Sequence, residues 1–485
     1  MAPSYTNFLQ LTKPSASETY DVATWNTNMD SLDAGVKGAK RSKAATILIG
    51  NTAAGHTTAD CDVLCNGTND AAKIMAQTNS SSKIARKVVL LEGTYNLERP
   101  LYISSNVILE GMGQNVTILK RKFSSGAMIY YPNMNYSDTT YGTYLANTAI
   151  RNLTLDGQRS TYTRTDNIGI YYNGTSEMGN VELSRVTVMN CYVGVKVMYS
   201  ANLTAQNCIF TGGYTGVEMT GAGGVTVENC TLVGDNTAGS MGISTNTSCH
   251  TFRFVGNKTR DFRTHYYVQG EKGSIEGNHL YLASTQKGIY LYGARSTTVT
   301  GNRIKCIGNT IVGIDCSYDA SKCVVLGNNI LNISASTSMT GIYSYSATMS
   351  SFIGNQIDCA SNGIGIDIPY GNDHQIANNT ILNPQIGIQV GTNSSGSVSQ
   401  RLNITGNQMV AATSKGIYTQ LQYSKISDNL ITLSGGSASI ELYAPSGSTS
   451  WGCCYNLVSN NMIWGKNYIL CTNSSGNTFA NNKYS

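Results

Sequence analysis

Gly288-Ile289-Tyr290-Leu291 reads glycine, apolar, variable, apolar, and the pattern returns at Gly313-Ile314-Asp315, Gly341-Ile342-Tyr343 and Gly365-Ile366-Asp367-Ile368. Upstream it is Gly169-Ile170-Tyr171, Gly194-Val195-Lys196-Val197, Gly216-Val217-Glu218-Met219 and Gly242-Ile243-Ser244. Downstream it is Gly387-Ile388-Gln389-Val390 and Gly416-Ile417-Tyr418. Two copies, His265-Tyr266-Tyr267-Val268 and Ser439-Ile440-Glu441-Leu442, lack the glycine. From Tyr171 to Glu441 there are eleven steps across 270 residues, a period of about 24.5. Self-similarity at a fixed period marks a repeat architecture, and apolar-variable-apolar alternation marks a strand.

A second motif, apolar-X-(Gly/Asn)-Asn-X-apolar, follows in each period. Its asparagines are read as Asn229, Asn257, Asn278, Asn302, Asn328, Asn355, Asn379, Asn407, Asn429 and Asn461. No helical stretch separates the two motifs, so each period is a coil of short strands punctuated by Gly and Asn. Coils stacked at ~4.8 Å pair their strands in parallel. Parallel crossovers are right-handed. The predicted fold is all-β, a right-handed parallel β-helix or solenoid with a short N-terminal helical attachment segment. The Asn series is predicted to be scaffold, because Asn tolerates left-handed backbone and stacked Asn side chains hydrogen-bond one another.

Composition narrows the function. Charged residues are 13% of 485, and the net charge of +5 is spread without basic runs, so the chain carries no electrostatic footprint for nucleic acid. No segment approaches the ~20 apolar residues of a bilayer span. The first ten residues lack the basic and apolar regions of a secretory signal, so synthesis in a bacterial cytoplasm without membrane insertion is expected. Thirteen cysteines, an odd number without dense spacing, do not form a disulfide framework. Cys208 and Cys230 each follow an Asn of the repeat and are expected to stack on consecutive coils. No metal site and no cofactor is predicted.

Three regions are distinguished. Residues 1–43 carry a helix capped by Asp21, with apolar positions Trp25, Met29, Leu32, Val36 and Ala39 spaced as a short coiled-coil seam. Residues 44–125 are an entry and cap, where Asn69-Asp70-Ala71-Ala72-Lys73-Ile74 starts a helix that covers the first coil. Residues 126–485 are the coils.

The Gly67-Thr68-Asn69-Asp70-Ala71-Ala72 helix, the strand Val88-Val89-Leu90-Leu91-Glu92-Gly93-Thr94-Tyr95 and the strand Ser105-Asn106-Val107-Ile108-Leu109-Glu110-Gly111 resemble the N-terminal region of the pectin-lyase-like superfamily. With the coils, that resemblance covers about 440 residues. It implies the β-helix and leaves the chemistry open, since the fold hosts lyases, hydrolases, epimerases and adhesins. Asn7-Phe8-Leu9-Gln10-Leu11-Thr12-Lys13-Pro14, with Tyr20-Asp21-Val22 and residues 25–33, resembles the N-terminus of phage and prophage tail fibre and tailspike proteins. The resemblance implies a virion location in the phage tail, attachment to a tail or baseplate protein through residues 1–43, and a homotrimer.

Strand side chains alternate, so the variable residue of each repeat faces outward. These positions form a stripe: Tyr171, Lys196, Glu218, Ser244, Tyr267, Tyr290, Asp315, Tyr343, Asp367, Gln389, Tyr418 and Glu441. Five of the twelve are Tyr, which offers a flat apolar face and a hydroxyl to sugar rings; tyrosines placed for β-propensity alone are the competing explanation. Candidate glycan-binding residues are Tyr267, Tyr290, Tyr343, Tyr418, Glu218, Arg263, His265 and Trp451. Arg263 and His265 belong to a cluster with Arg260, Asp261 and Tyr266 whose cations and base suit lyase chemistry. Trp451 lies in the longer insertion 444–455; a second insertion spans 391–400. Asp315 and Asp367 are the candidate catalytic pair. Two coils separate them by ~9.6 Å, near the upper end of the ~6.5–9.5 Å spacing of inverting glycosidases. The sequence therefore predicts a tail spike or fibre that recognises a bacterial surface polysaccharide, with a polysaccharide depolymerase and a purely structural virion part as alternatives.

Overall fold

The computed structural model describes residues 26–30, 32, 46–79, 86–131, 148–173, 180–199, 202–283, 286–308, 311–334, 338–391, 398–436, 438–443, 453–465, 468–472 and 475–484, together with the short antiparallel strands Ser4–Tyr5 and Thr12–Lys13. The chain winds through about 14 turns of a right-handed parallel β-solenoid with very little helix. Each coil contributes one strand to a sheet built from the Gly-Ile-X-apolar segments. It contributes two more, on either side of the asparagine corner, to the facing sheets.

In the first sheet, Thr264–Val268, Lys287–Tyr292, Ile311–Ser317, Met339–Thr348 and Ile364–Asn372 pair in order, all parallel. The register aligns the repeat residue for residue: Tyr267 opposes Tyr290, Tyr290 opposes Asp315, Asp315 opposes Tyr343, and Tyr343 opposes Asp367. The apolar positions of the motif, such as Ile289, Ile314, Ile342 and Ile366, are fully buried in one continuous core that runs the length of the solenoid.

The motif glycine is set by close approach of successive coils. A Cβ on Gly313 would lie 2.6 Å from the Gly341 carbonyl oxygen and 2.9 Å from Ile330 Cγ2, and one on Gly341 would lie 2.6 Å from the Gly365 oxygen. Real Cβ atoms do not come that close, so the column is kept free of side chains.

The asparagine corner is a ladder. Asn302 Nδ2 donates to Asn328 Oδ1 at 2.9 Å and to the Ile275 carbonyl at 2.9 Å. Its own Oδ1 accepts from the Nδ2 and the backbone N–H of Asn278, both at 2.9 Å. The same bonds repeat through Asn257, Asn328, Asn355, Asn379, Asn407, Asn429 and Asn461. These amides are fully buried, and mutual satisfaction is what makes that burial tolerable.

Asn229, read above as the first rung, is one residue out of register. It adopts a left-handed backbone, φ 52°, where the next coil has Gly256 at φ 63°. The rung on that coil is Cys230, whose N–H donates to Asn257 Oδ1 at 2.9 Å. Cys208 stacks beneath it, its N–H 3.4 Å from Cys230 Sγ. All thirteen cysteines are free thiols.

At the N-terminal end the helix Asp70–Thr78 buries Ala71, Ile74 and Thr78 and packs on the strands Gly93–Leu97 and Leu101–Tyr102. Asp70 anchors the preceding turn by accepting from the N–H groups of Asn66 and Gly67. Of the N-terminal seam, residues 26–30 and 32 are helical and Met29 is exposed; Trp25, Val36 and Ala39 lie outside the described residues. Among those residues no helix is long and apolar enough to cross a membrane.

Candidate functional site

The variable residues of the first sheet form one outward column, and the column is longer than the Gly-Ile motif indicates. Tyr171 opposes Tyr130, and Tyr130 opposes Tyr102, whose rings stack at 5.5 Å. Neither lower strand contains the motif glycine, so counting by Gly-Ile starts two coils late.

The centre of the column is an aromatic patch. Tyr267 and Tyr290 meet edge to face at 5.5 Å, and Tyr292 packs on both, at 5.9 and 5.6 Å. Tyr292 continues to Tyr318 at 4.7 Å, and Tyr318 to Tyr345 at 6.1 Å. Tyr292 and Tyr345 lie two residues beyond Tyr290 and Tyr343, so strand alternation alone places them on the same face. Tyr318 sits just past its strand in a left-handed conformation, φ 54°, and is half exposed. The period of the repeat gives no signal for it.

Asp315 lies within this patch and is almost fully buried despite facing outward. Lys287, one coil below and three residues before Tyr290, places Nζ 2.7 Å from Asp315 Oδ2 and 3.6 Å from the centre of the Tyr290 ring. Ser317 donates its hydroxyl to the other carboxylate oxygen. Burial pushes the Asp315 carboxyl up from the ordinary carboxylate range, and the Lys287 ammonium opposes that push. Asp367, two coils above Asp315 with Tyr343 between them, has no such cation among the described residues. It accepts one bond from Gln389 Nε2 at 3.3 Å, and burial raises its carboxyl to about 6. Burial, with the Asp367 and Asp315 charges beside it, pushes the Tyr343 hydroxyl up to about 12.

Farther up, Lys415 repeats the role of Lys287. Its Nζ is 2.8 Å from Glu441 and 3.7 Å from the centre of the Tyr418 ring, and Tyr443 packs on Tyr418 at 5.9 Å. Lower down, Glu218 pairs with Lys196 at 2.7 Å.

The cluster around His265 does not assemble on this face. His265 occupies the column that is glycine in most coils, and its side chain points into the core, where it is fully buried. The ring bonds Thr259 Oγ1 at 2.6 Å and faces Gln286 Oε1 at 3.4 Å. Burial holds its pKa down at about 4, so it is neutral and out of reach of a glycan. Its position as a glycine replacement was the available sequence signal. Arg260 is exposed and pairs with Asp261 at 3.4 Å. Arg263 is half-buried, with its backbone N–H on Ser240 Oγ. Trp451 lies outside the described residues.

The geometry defines a β-solenoid with one aromatic and carboxylate-bearing outer face. A family model described as a right handed beta helix region matches residues 168–330. No curated protein sequence matches the chain. Among solved structures, the pre-mature gene product 12 of bacteriophage phi29 is 12% identical with a TM-score of 0.57, over 93% of this chain and 74% of that one. The A-module of the mannuronan C-5 epimerase AlgE6 of Azotobacter vinelandii is 16% identical with a TM-score of 0.44, over 84% and 96% of the two chains. A PL6 alginate lyase in complex with a trisaccharide is 11% identical with a TM-score of 0.47, over 86% and 94%. The chain shares the β-helix fold with the phage protein.

Proposed function

We propose that the protein is a phage or prophage tail spike or fibre component whose β-helix binds a bacterial surface polysaccharide along its outer tyrosine face. The observation that carries this reading is the run Tyr267, Tyr290, Tyr292, Tyr318 and Tyr345 around the buried Asp315. Half-exposed rings with hydroxyls and neighbouring carboxylates offer sugar both apolar faces and hydrogen-bond partners. The N-terminal resemblance to tail fibres supports attachment to a tail or baseplate protein through residues 1–43 and a homotrimer. Binding of the full chain on a bacterial glycan array tests the first point, and a clean monomer at micromolar concentration would overturn the trimer.

A second reading, depolymerisation of the bound glycan, is favoured by one observation. Asp315 and Asp367 are two outward carboxyls on one face, both raised by burial but only one of them beside a cation. That asymmetry is what an acid and a base require. Release of reducing ends or of unsaturated products, abolished in Asp315→Asn and Asp367→Asn, is expected if the face is catalytic. Cleavage that survives both substitutions rules the pair out.

A further inference from the structure

Two places on the outer face carry the same three-residue arrangement. At the lower, Lys287 lies over the Tyr290 ring and reaches Asp315 on the next coil. At the upper, Lys415 lies over the Tyr418 ring and reaches Glu441 on the next coil. The correspondence holds in register as well as in chemistry. Each Lys is three residues before its Tyr, each carboxylate directly opposes that Tyr one coil up, and the residue opposing each Lys is a small apolar one, Val312 or Ala438. The Lys-ring distances are 3.6 and 3.7 Å and the Lys-carboxylate distances 2.7 and 2.8 Å.

Five register steps separate the two tyrosines, through Asp315, Tyr343, Asp367 and Gln389. At the strand spacing this is ~24 Å along the rod. The coils between present hydrogen-bonding groups and a ring but no Lys-Tyr-carboxylate set.

The lysine charges of the column are cancelled in place. The ammonium groups of Lys287, Lys415 and Lys196 are each neutralised by a carboxylate of the following coil. Asp367 adds one carboxyl between the stations. A polyanion meets no surplus of positive charge here, and its own charges would face Asp367. A neutral sugar chain meets ring faces, hydroxyls and paired ions that can donate to and accept from its hydroxyls.

We propose that the outer face takes a neutral polysaccharide lying along the rod axis, gripped at two equivalent stations, Lys287-Tyr290-Asp315 and Lys415-Tyr418-Glu441. This rests on the glycan-binding reading above and specifies its ligand class and its geometry. Two stations on one rigid body bind a long chain with avidity, and a chain too short to span them gains none.

The test uses the full chain against neutral polymers (dextran, a galactan, a rhamnan) and anionic ones (alginate, hyaluronan, a glycerol-phosphate teichoic acid), followed by length fractions of whichever polymer binds. The expected result is binding to a neutral polymer, with affinity rising sharply once a fraction spans ~24 Å. Tyr290→Ala and Tyr418→Ala should each remove that rise and weaken long-chain binding by roughly tenfold or more, with melting temperatures unchanged to show that both variants fold. Binding confined to anionic polymers would overturn this inference and leave glycan recognition standing. So would full-strength binding by Tyr418→Ala. Failure to bind any polymer would overturn both.

Discussion

Lys287 Nζ lies 2.7 Å from Asp315 Oδ2, pairing a half-exposed ammonium with a carboxylate that is almost completely out of water. The carboxylate depends on that partner, because burial disfavours its charged form. Lys287→Met should therefore destabilise the protein at pH 7 by about 1–3 kcal/mol, the cost of an orphaned buried acceptor. The deficit should shrink as the pH is lowered from 7 and Asp315 takes up a proton. Urea unfolding of both proteins across that range checks it, and a pH-independent deficit would place the cost in packing instead.

Asp367 carries the opposite consequence. Its carboxyl titrates at about 6 in the folded protein and near 3.9 when unfolded. The folded state thus holds the proton more tightly, and its contribution to stability is present at low pH and lost as pH rises from about 4 to about 6. Asp367→Asn removes this loss. At pH 8 the variant should be more stable than the parent by up to about 2–3 kcal/mol, with little difference at pH 4. Equal melting temperatures at pH 8 would contradict the burial of a titrating carboxyl there.

Asn302→Ala cuts the ladder in mid-rod. It leaves the Asn278 N–H and Nδ2 without their acceptor and the Ile275 carbonyl without its donor. At about 1–3 kcal/mol for each unsatisfied buried group, the loss should be at least about 3 kcal/mol, and calorimetry should show a marked drop in Tm. A change as small as that of an exposed substitution would show that the ladder is not a stabilising element.

Gly313→Ala tests the glycine column. The added methyl would collide with the Gly341 oxygen and with Ile330, and overpacking of this kind costs about 1–3 kcal/mol. A neutral effect on the denaturation midpoint would mean that the coils can separate locally.

The repeat made the fold legible. Ile289, Ile314 and Ile342 recur with the period of one coil, and a 24.5-residue period with strand alternation admits few solutions other than stacked coils. The outward column from Tyr171 to Glu441 followed from the same periodicity. What the period missed was of four kinds. The asparagine motif carries two adjacent polar positions, and on the Cys230 coil the left-handed one is Asn229, so residue type alone chose the wrong member of the pair. His265 stands in the glycine column, where Cβ direction rather than strand alternation decides that it faces the core. Lys287 and Lys415 are three residues from the variable position, and their reach to the next coil depends on side-chain length and on the small residue above each. Tyr318 owes its place to a left-handed corner, which no hydrophobic pattern encodes.

The central claim, that the tyrosine face is the glycan-binding surface, is tested most directly by titrating one bacterial surface polysaccharide that binds the full chain into the parent and into Tyr267→Ala/Tyr290→Ala, with matched melting curves. The account predicts saturable binding by the parent and a loss of at least roughly tenfold in the variant, as expected when stacked aromatics are truncated. Equal affinity of the two proteins would contradict it.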